Sequence, residues 1–290
     1  SVPGKIFYQF LNSVPQEEIE LIANGGSLTI NCGKVEGKLL VKKLETAQKI
    51  FDAIQEPADS EWKPLPAGFV LGLKLCKFSC SDDATVPVLT GVFVNGPLMF
   101  SCDRYRITKY ECEADTGMKS ILPVQLIQEL EKNSDHIDGY CIKNGMIFFR
   151  LWEGKVVLGS GLIEGQYPDL NSHFPELNGD EIVELPESLA AALDRQNLIQ
   201  SDVLELDRGT TVKFDEQKIS LYSRNKEVGE VKEEIEFESP SKFKGVEIKV
   251  NPLFFRDVLD ISRVMSYDAH ANTVIVVGER LTHLIKTKVD

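Results

Sequence analysis

Cysteine, histidine and basic residues are scarce in this chain. Its 290 residues include six cysteines and four histidines, and 45 acidic residues outnumber 32 basic ones, which gives a formal charge of −13. So few cysteines, with no C-x-x-C pair among them, predict reduced thiols rather than a disulfide scaffold. The histidines show no metal-ligand spacing, so we expect no metal and no other cofactor. The acidic excess alone argues against a protein that binds phosphate backbones.

Long hydrophobic runs are absent too. No apolar stretch approaches the ~18 residues that a membrane helix needs, and residues 1–20 lack the basic and then apolar layout of a signal peptide. Apolar residues make up 42% of the sequence and charged residues 27%, as in ordinary globular proteins. These features predict a soluble protein that is not exported and does not bind membranes.

Signatures of catalysis are also missing. The sequence contains no GKS or GKT phosphate loop and no G-x-S-x-G elbow. Adjacent acids such as Asp82 and Asp83 are expected by chance in so acidic a chain and are typical of a polar turn. We therefore expect no catalytic residues. A nuclease or hydrolase built on acidic side chains is the enzymatic alternative, and metal-dependent turnover of nucleic acid would support it.

The sequence does contain a fivefold repeat. Five segments open with a proline followed by apolar residues at three- and four-residue steps, and these prolines lie 63, 57, 63 and 66 residues apart. They are Pro3, Pro66, Pro123, Pro186 and Pro252. Proline is tolerated in the first turn of a helix, so each opening predicts an amphipathic helix. The predicted helices cover residues 3–13, 66–79, 123–132, 186–197 and 252–263.

Strand-like segments follow the helices. Asparagine-glycine pairs at 95–96 and 144–145 separate alternating apolar runs and predict hairpins, since both residue types accept a positive φ. The runs cover residues 85–94, 98–102, 140–143 and 146–152, and Gly25 with Gly26 marks a similar turn. The repeat is thus one helix with roughly four antiparallel strands, which indicates an α+β fold.

One such unit cannot bury both its sheet and its helix well, so we expect units to pair around shared cores. Pairing the second unit with the third, and the fourth with the fifth, predicts domains at 62–180 and 181–290. Residues 1–61 then remain as a half-domain without a partner.

The excess of acidic residues lies outside the predicted helices. Together the five helices carry a formal charge of +1, which leaves −14 for the strands and loops. A body whose helices line one surface would be acidic outside and neutral to basic inside, and such a surface tolerates DNA. The alternative is that these are ordinary solvated helix faces.

Several motifs resemble one family. VPVLTGV around Leu89, SCDRYRI at 101–107 and GLIEGQYPDL at 161–170 are similar, in order and spacing, to the second domain of the bacterial DNA polymerase III beta subunit, the sliding clamp. LPESLAAALDRQNLI at 185–199 and NPLFFRDVLDISRV at 251–264 resemble the two helices of its third domain. VPGKIFYQFLNSVP at 2–15 resembles the second helix of its first domain. The resemblance extends over essentially the whole chain.

The resemblance implies the DNA-clamp fold, in which repeated half-domains turn their helices toward the inner face of a ring closed by a head-to-tail homodimer. It implies a cytoplasmic, non-catalytic subunit of a DNA polymerase holoenzyme, a processivity factor for DNA replication that encircles duplex DNA. The sequence contains five such half-domains, whereas a subunit of the family has six. Residues 1–61 would therefore be the second half of clamp domain one, 62–180 domain two and 181–290 domain three, with the first half of domain one absent.

The family binds polymerase and clamp-loader subunits through short peptides that insert apolar side chains between domains two and three. The matching positions here are Leu89, Cys102, Arg104, Tyr105, Arg106, Ile107, Pro168, Leu284 and Ile285. The family usually has threonine, glycine and histidine where this chain has Cys102, Arg104 and Tyr105, and methionine-proline where it has Lys286 and Thr287. We expect these departures to alter partner specificity. The alternative for the apolar members is plain sheet core.

Two further sets follow from the resemblance. The first set contains the basic residues on the helices that should face duplex DNA, and we expect these residues to make weak and nonspecific contacts to phosphate. They are Lys5, Lys74, Lys77, Arg195, Arg256 and Arg263. Apolar residues at the edges that would close the ring are Val14 and Leu39 on one side and Leu198 and Ile199 on the other. The absent half-domain leaves a second function open, a clamp-like peptide-binding adaptor or decoy that does not encircle DNA.

Overall fold

The computed structural model describes residues 2–15, 18–41, 54, 57–176 and 182–288. The chain divides into two compact units, Ser1–Ala58 and Asp59–Asp290. The predicted limit between domains one and two, at 61/62, lies three residues beyond that division. The predicted limit at 180/181 lies outside the described residues.

The first unit is a helix with a small antiparallel sheet. Helix α1 (Gly4–Ser13) precedes strands β1 (Glu20–Asn24), β2 (Ser27–Cys32) and β3 (Val35–Leu40), which lie in the order β1-β2-β3. The ring of Phe10 lies on Gly37 so closely that a Cβ at position 37 would come within 2.5 Å of it. Glycine at that position therefore lets the helix approach the sheet.

The second unit contains four of the predicted helices, and its strands follow them as expected. Its first half contains α2 (Phe69–Lys77), β4 (Gly91–Asn95), β5 (Leu98–Cys102), β6 (Arg106–Glu111), β7 (Lys119–Pro123), α3 (Val124–Lys132), β8 (Ile137–Lys143), β9 (Met146–Leu151) and β10 (Val156–Gly161). Its second half contains β11 (Val183–Glu184), α4 (Ser188–Leu198), β12 (Thr210–Phe214), β13 (Lys218–Asn225), β14 (Gly229–Glu236), β15 (Glu247–Val250), α5 (Pro252–Leu259), β16 (Val264–Asp268), β17 (Thr273–Val277) and β18 (Leu281–Lys286).

These strands form three antiparallel sheets. The largest has eight strands in the order β11-β16-β17-β18-β6-β5-β4-β7, and the others follow the orders β14-β13-β12-β15 and β10-β9-β8. In the large sheet, β18 pairs with β6, so strands from the two halves of the unit meet there. Helix α2 packs against α3 and α4 against α5, and their apolar faces join the sheets in one buried core. The predicted α+β class is confirmed.

The local sequence signals explain these elements. The Asn144-Gly145 turn between β8 and β9 has φ values of 53° and 75°, as that turn type requires. At the start of α5, the side chain of Asn251 accepts a hydrogen bond from the backbone N–H of Leu253 at 3.0 Å. One strand is shorter than expected: residues 87–90 form a 3₁₀ turn and β4 begins at Gly91, because Pro87 has no N–H to give to a sheet. Among the described residues, no helix could span a membrane.

Candidate functional site

The pairing of β18 with β6 builds the floor of the site. Leu284 lies opposite Ile107, and its neighbour Ile285 lies opposite Arg106. Successive side chains of a strand point to opposite faces, so Leu284 and Ile285 lie on opposite faces of the sheet. Leu284 lines a cavity, whereas Ile285 is fully buried in the main core behind the sheet.

That cavity has a volume of about 760 Å³. Eight of the nine residues predicted for the groove surround it, namely Leu89, Cys102, Arg104, Tyr105, Arg106, Ile107, Pro168 and Leu284. Ile285 is the one that the structure does not bring to the cavity wall. The predicted positions therefore come from distant parts of the sequence and share one concave surface.

A segment that the sequence reasoning largely missed forms one wall. Leu170, His173 and Pro175 line the cavity, in a stretch that folds back over the large sheet. Tyr167 stacks on Phe93 with ring centroids 5.0 Å apart, which holds this stretch in place. The only available signal was the motif GLIEGQYPDL, which ends at Leu170. The opposite wall adds Asp268, Ala271, Thr273 and Lys286.

Arg106 is buried and committed to neighbouring groups. Its side chain is 8% exposed, with Nε 2.8 Å from Oδ2 of Asp103 and Nη1 2.7 Å from Oδ2 of Asp257. The guanidinium carbon also lies 4.1 Å from the ring centroid of Phe254. Since Asp257 and Phe254 belong to α5, Arg106 ties β6 to that helix. It therefore fixes the end of β6 that carries the turn before it against α5.

The turn between β5 and β6 is more exposed. The backbone of Arg104 has a φ of 78°, and Tyr105 is 43% exposed. One guanidinium nitrogen of Arg104, Nη2, lies 2.7 Å from Oδ2 of Asp83, and both side chains are largely open to solvent. The pKa of Asp83 is lowered, mainly by its hydrogen bonds from Thr85 and to a lesser degree by Arg104.

Below the floor lies a buried polar chain. Oγ of Ser79 is 2.6 Å from Oγ1 of Thr108, which is 2.8 Å from Nδ1 of His283. Burial lowers the pKa of His283 to about 3, with a smaller effect from Arg106. Burial also raises the pKa of Cys102, so this thiol at the cavity wall remains protonated and unreactive.

Most basic residues predicted to face DNA are paired with carboxylates. Lys77 lies 2.6 Å from Glu131 on the adjacent helix α3. The other pairs are Arg195 with Glu233, Arg256 with Asp194 and Asp260, and Arg263 with Glu184. Lys74 on α2 and, in the first unit, Lys5 on α1 are exposed. The positive charge that these helices offer is therefore partly neutralised.

The residues predicted for ring closure are exposed to different degrees. In the first unit, Val14 and Leu39 are half-buried. In the second unit, Leu198 at the end of α4 is 70% exposed and Ile199 is half-buried. Within the described ranges, no group of three or more histidine, cysteine, aspartate or glutamate residues could hold a metal ion.

Comparison of sequences identifies a set of relatives. The chain is 28% identical over 257 residues to the beta sliding clamp of Staphylococcus epidermidis strain RP62A, in a match that covers 81% of this chain and 63% of the relative. The beta sliding clamp of Staphylococcus aureus strain Mu50 is 28% identical over 258 residues, with the same coverage. The chain thus spans slightly less than two thirds of the length of these curated relatives. No protein-family model matches it.

Solved structures show the same fold. A DnaN sliding clamp from Bartonella birtlesii bound to griselimycin gives a TM-score of 0.79 at 20% identity, covering 100% of this chain and 81% of that one. The DNA polymerase III beta chain from Streptococcus pneumoniae gives 0.80 at 20% identity, covering 99% and 79%. The resemblance predicted from the motifs is therefore confirmed: the chain is similar in sequence to the bacterial beta sliding clamps and has their fold.

Proposed function

We propose that the chain acts as a DNA sliding clamp, a non-catalytic processivity factor that encircles duplex DNA and tethers a replicative polymerase. The observation that carries the proposal is the cavity at the β6–β18 pairing, with an apolar floor that includes Leu89, Ile107 and Leu284. Such a floor suits a short peptide of a polymerase or clamp-loader subunit that inserts apolar side chains. The similarity to beta sliding clamps supports this role.

Retention on DNA would come from topology rather than from affinity. In this proposal the helices face the DNA, and head-to-tail copies close the ring through Val14 and Leu39 on one edge and Leu198 and Ile199 on the other. Residues 1–61, 62–180 and 181–290 act as the second half of domain one, domain two and domain three. The formal charge of −13 does not oppose this, since a topological link needs few phosphate contacts. Replication in the cytoplasm is the expected setting.

Retention on closed circles tests the proposal. The protein, loaded on nicked circular DNA and on the same DNA made linear, should stay on circles and leave linear molecules through their ends. Light scattering after size exclusion gives the oligomeric state of the protein that is loaded. Equal loss from circular and linear DNA would contradict encirclement.

A peptide-binding adaptor that never encircles DNA is the second candidate. The ion pairs on the helices favour it, because Lys77, Arg195 and Arg256 already have carboxylate partners. This candidate predicts peptide binding in the groove together with no retention on circular DNA at any salt concentration. The same circle experiment, run beside a peptide-binding assay, separates the two functions.

A further inference from the structure

The turn between β5 and β6 holds an arginine in a backbone conformation that favours glycine. Arg104 has a φ of 78°, in the left-handed region that costs most side chains roughly 1 kcal/mol or more. The turn does not need arginine for its own hydrogen bonds. Asp103 Oδ1 accepts from the backbone N–H of Tyr105 and of Arg106, at 3.0 and 2.9 Å, and holds the turn together. The strain therefore points to a use for the Arg104 side chain.

The guanidinium of Arg104 lies at the edge of the groove. Arg104 lines the cavity of about 760 Å³ and also a smaller neighbouring cavity of about 290 Å³. Its only ion pair within the described part of the chain joins Nη2 to Asp83, and the pair leaves the side chain of Arg104 55% exposed. Exposed pairs contribute between nothing and about 1 kcal/mol. The side chain can thus leave Asp83 for another carboxylate at little cost.

Asp83 is held in position independently of Arg104. Oδ1 of Asp83 accepts from the backbone N–H of Thr85 at 3.0 Å and from its hydroxyl at 2.6 Å. Only Oδ2 faces Arg104. Asp83 therefore keeps the guanidinium near the groove when the groove is empty, and one carboxylate oxygen is all that a ligand must replace.

The other charged residues of the groove are less available. Arg106 is buried between two aspartates, and Lys286 Nζ donates to the backbone carbonyl of Ala271. The carboxylates of Asp169 and Asp268 also line the groove, so the cavity is not uniformly positive. Arg104 therefore keeps N–H donors that no described residue accepts from. A guanidinium can bind a carboxylate through two parallel hydrogen bonds.

We infer that Arg104 is a specificity-determining residue that selects, among apolar peptides, those with a carboxylate next to their apolar anchors. The inference rests on the proposed peptide-binding function. The partner class is an acidic-apolar linear peptide, and Asp83 competes with that peptide for the guanidinium.

Two synthetic, fluorescein-labelled peptides test the inference. Both carry leucine and phenylalanine anchors, and one neighbouring position is glutamate in the first peptide and glutamine in the second. Fluorescence anisotropy gives the ratio of the two dissociation constants for each protein. The unmodified protein should prefer the glutamate peptide by about fivefold, the upper range for an exposed ion pair. In Arg104→Gln the ratio should fall to about one.

A second variant changes the ratio in the opposite direction. Asp83→Asn keeps an oxygen that can accept from Thr85 but removes the charge that competes for Arg104. It should raise the preference for the glutamate peptide about twofold beyond the unmodified protein. Arg280→Gln is the matched control, since Arg280 is a partly exposed arginine with a distant acidic partner, 4.0 Å away, and does not line the groove. Its ratio should equal that of the unmodified protein.

The strain gives an independent readout. Arg104→Gly should raise the midpoint of thermal unfolding by about 2 °C while removing the glutamate preference. Equal affinity of the unmodified protein for both peptides, or a preference that survives in Arg104→Gln, would overturn the inference and leave groove binding intact. Failure of both peptides to bind would overturn the proposed groove function and this inference with it.

Discussion

Nδ1 of His283 lies 2.8 Å from Oγ1 of Thr108, across the strand pair that joins the two halves of the second unit. The imidazole is fully buried and packs against Phe78, with ring centroids 5.0 Å apart. Its second nitrogen, Nε2, has no hydrogen-bond partner among the residues that the structure describes. A proton added there would create a buried charge beneath the groove, and this makes the junction sensitive to acid.

Stability should therefore decrease in acid. The pKa of His283 is about 3 in the folded protein, against 6.5 for an ordinary histidine. Between these values the unfolded chain binds the proton and the folded protein does not. The contribution of His283 to the free energy of unfolding is complete above pH 6.5 and decreases by up to about 1.4 kcal/mol per pH unit as pH falls toward 3. Urea unfolding at several pH values measures this slope.

The variant His283→Asn removes the titrating group and can still bond to Thr108. Its free energy of unfolding should depend less steeply on pH than that of the unmodified protein. His270→Asn is the control, because His270 is exposed in the turn between β16 and β17. An equal acid slope in His283→Asn and the unmodified protein would contradict the assignment.

Leu284 and Ile285 are neighbours in β18 with different roles. Leu284→Ala should weaken binding of an apolar peptide about tenfold, because it removes an apolar side chain of the groove floor that the peptide would contact. Ile285→Ala should instead lower the free energy of unfolding by about 3 kcal/mol, since it leaves a cavity in the main core. Peptide anisotropy and urea unfolding, applied to both variants, separate the two effects. Equal loss of peptide affinity in both would contradict the assignment of faces.

Arg106 and Asp257 should be energetically coupled. Arg106→Met leaves two carboxylates without their partner and should lower the free energy of unfolding by about 3 kcal/mol. Asp257→Asn should cost less, about 1 kcal/mol, because Asp257 is 32% exposed and water screens the charge. A double-mutant cycle by urea unfolding should give a coupling of about 1 kcal/mol. Strict additivity would mean that Arg106 does not tie β6 to α5.

The local sequence predicted the elements well. The proline-led apolar periods predicted all five helices, although only Pro252 lies inside its helix. Both hairpins were predicted too, but the first one turns at Gly96 and Pro97, because Asn95 still pairs with Leu98. The groove came from a resemblance, and the part that the resemblance left out is the segment around His173 and Pro175. Its path depends on packing against Phe93 and Phe100 in other strands. No local signal indicates such a contact.

Charge pairing was the other feature beyond the reach of sequence. Lys77 and Glu131 are 54 residues apart, and Arg106 and Asp257 are 151 residues apart. A count of charges along each helix treats Lys77 as available, whereas the fold places a carboxylate beside it. Only the packing of α2 on α3 brings that pair together.

These pairs predict a weak dependence of DNA binding on salt. Each phosphate contact contributes about 0.9 to the slope of log affinity against log salt concentration. With Lys77, Arg195, Arg256 and Arg263 paired to carboxylates, the unmodified protein should show a slope of about two or less. Anisotropy of a labelled DNA duplex over a series of salt concentrations measures it.

Removing the carboxylates should steepen that slope. The triple variant combines Glu131→Gln, Asp194→Asn and Glu233→Gln. The control triple changes three acids that pair with lysines outside the predicted DNA-facing set, and it combines Glu216→Gln, Glu230→Gln and Glu234→Gln. Both change the net charge equally, so a general effect of charge would appear in both. The first variant frees Lys77 and Arg195 completely, whereas Arg256 keeps Asp260. If the helices face DNA, the slope should therefore steepen by about one to two in the first variant and stay unchanged in the control. Equal slopes in the two triples would place the basic residues of these helices away from the DNA.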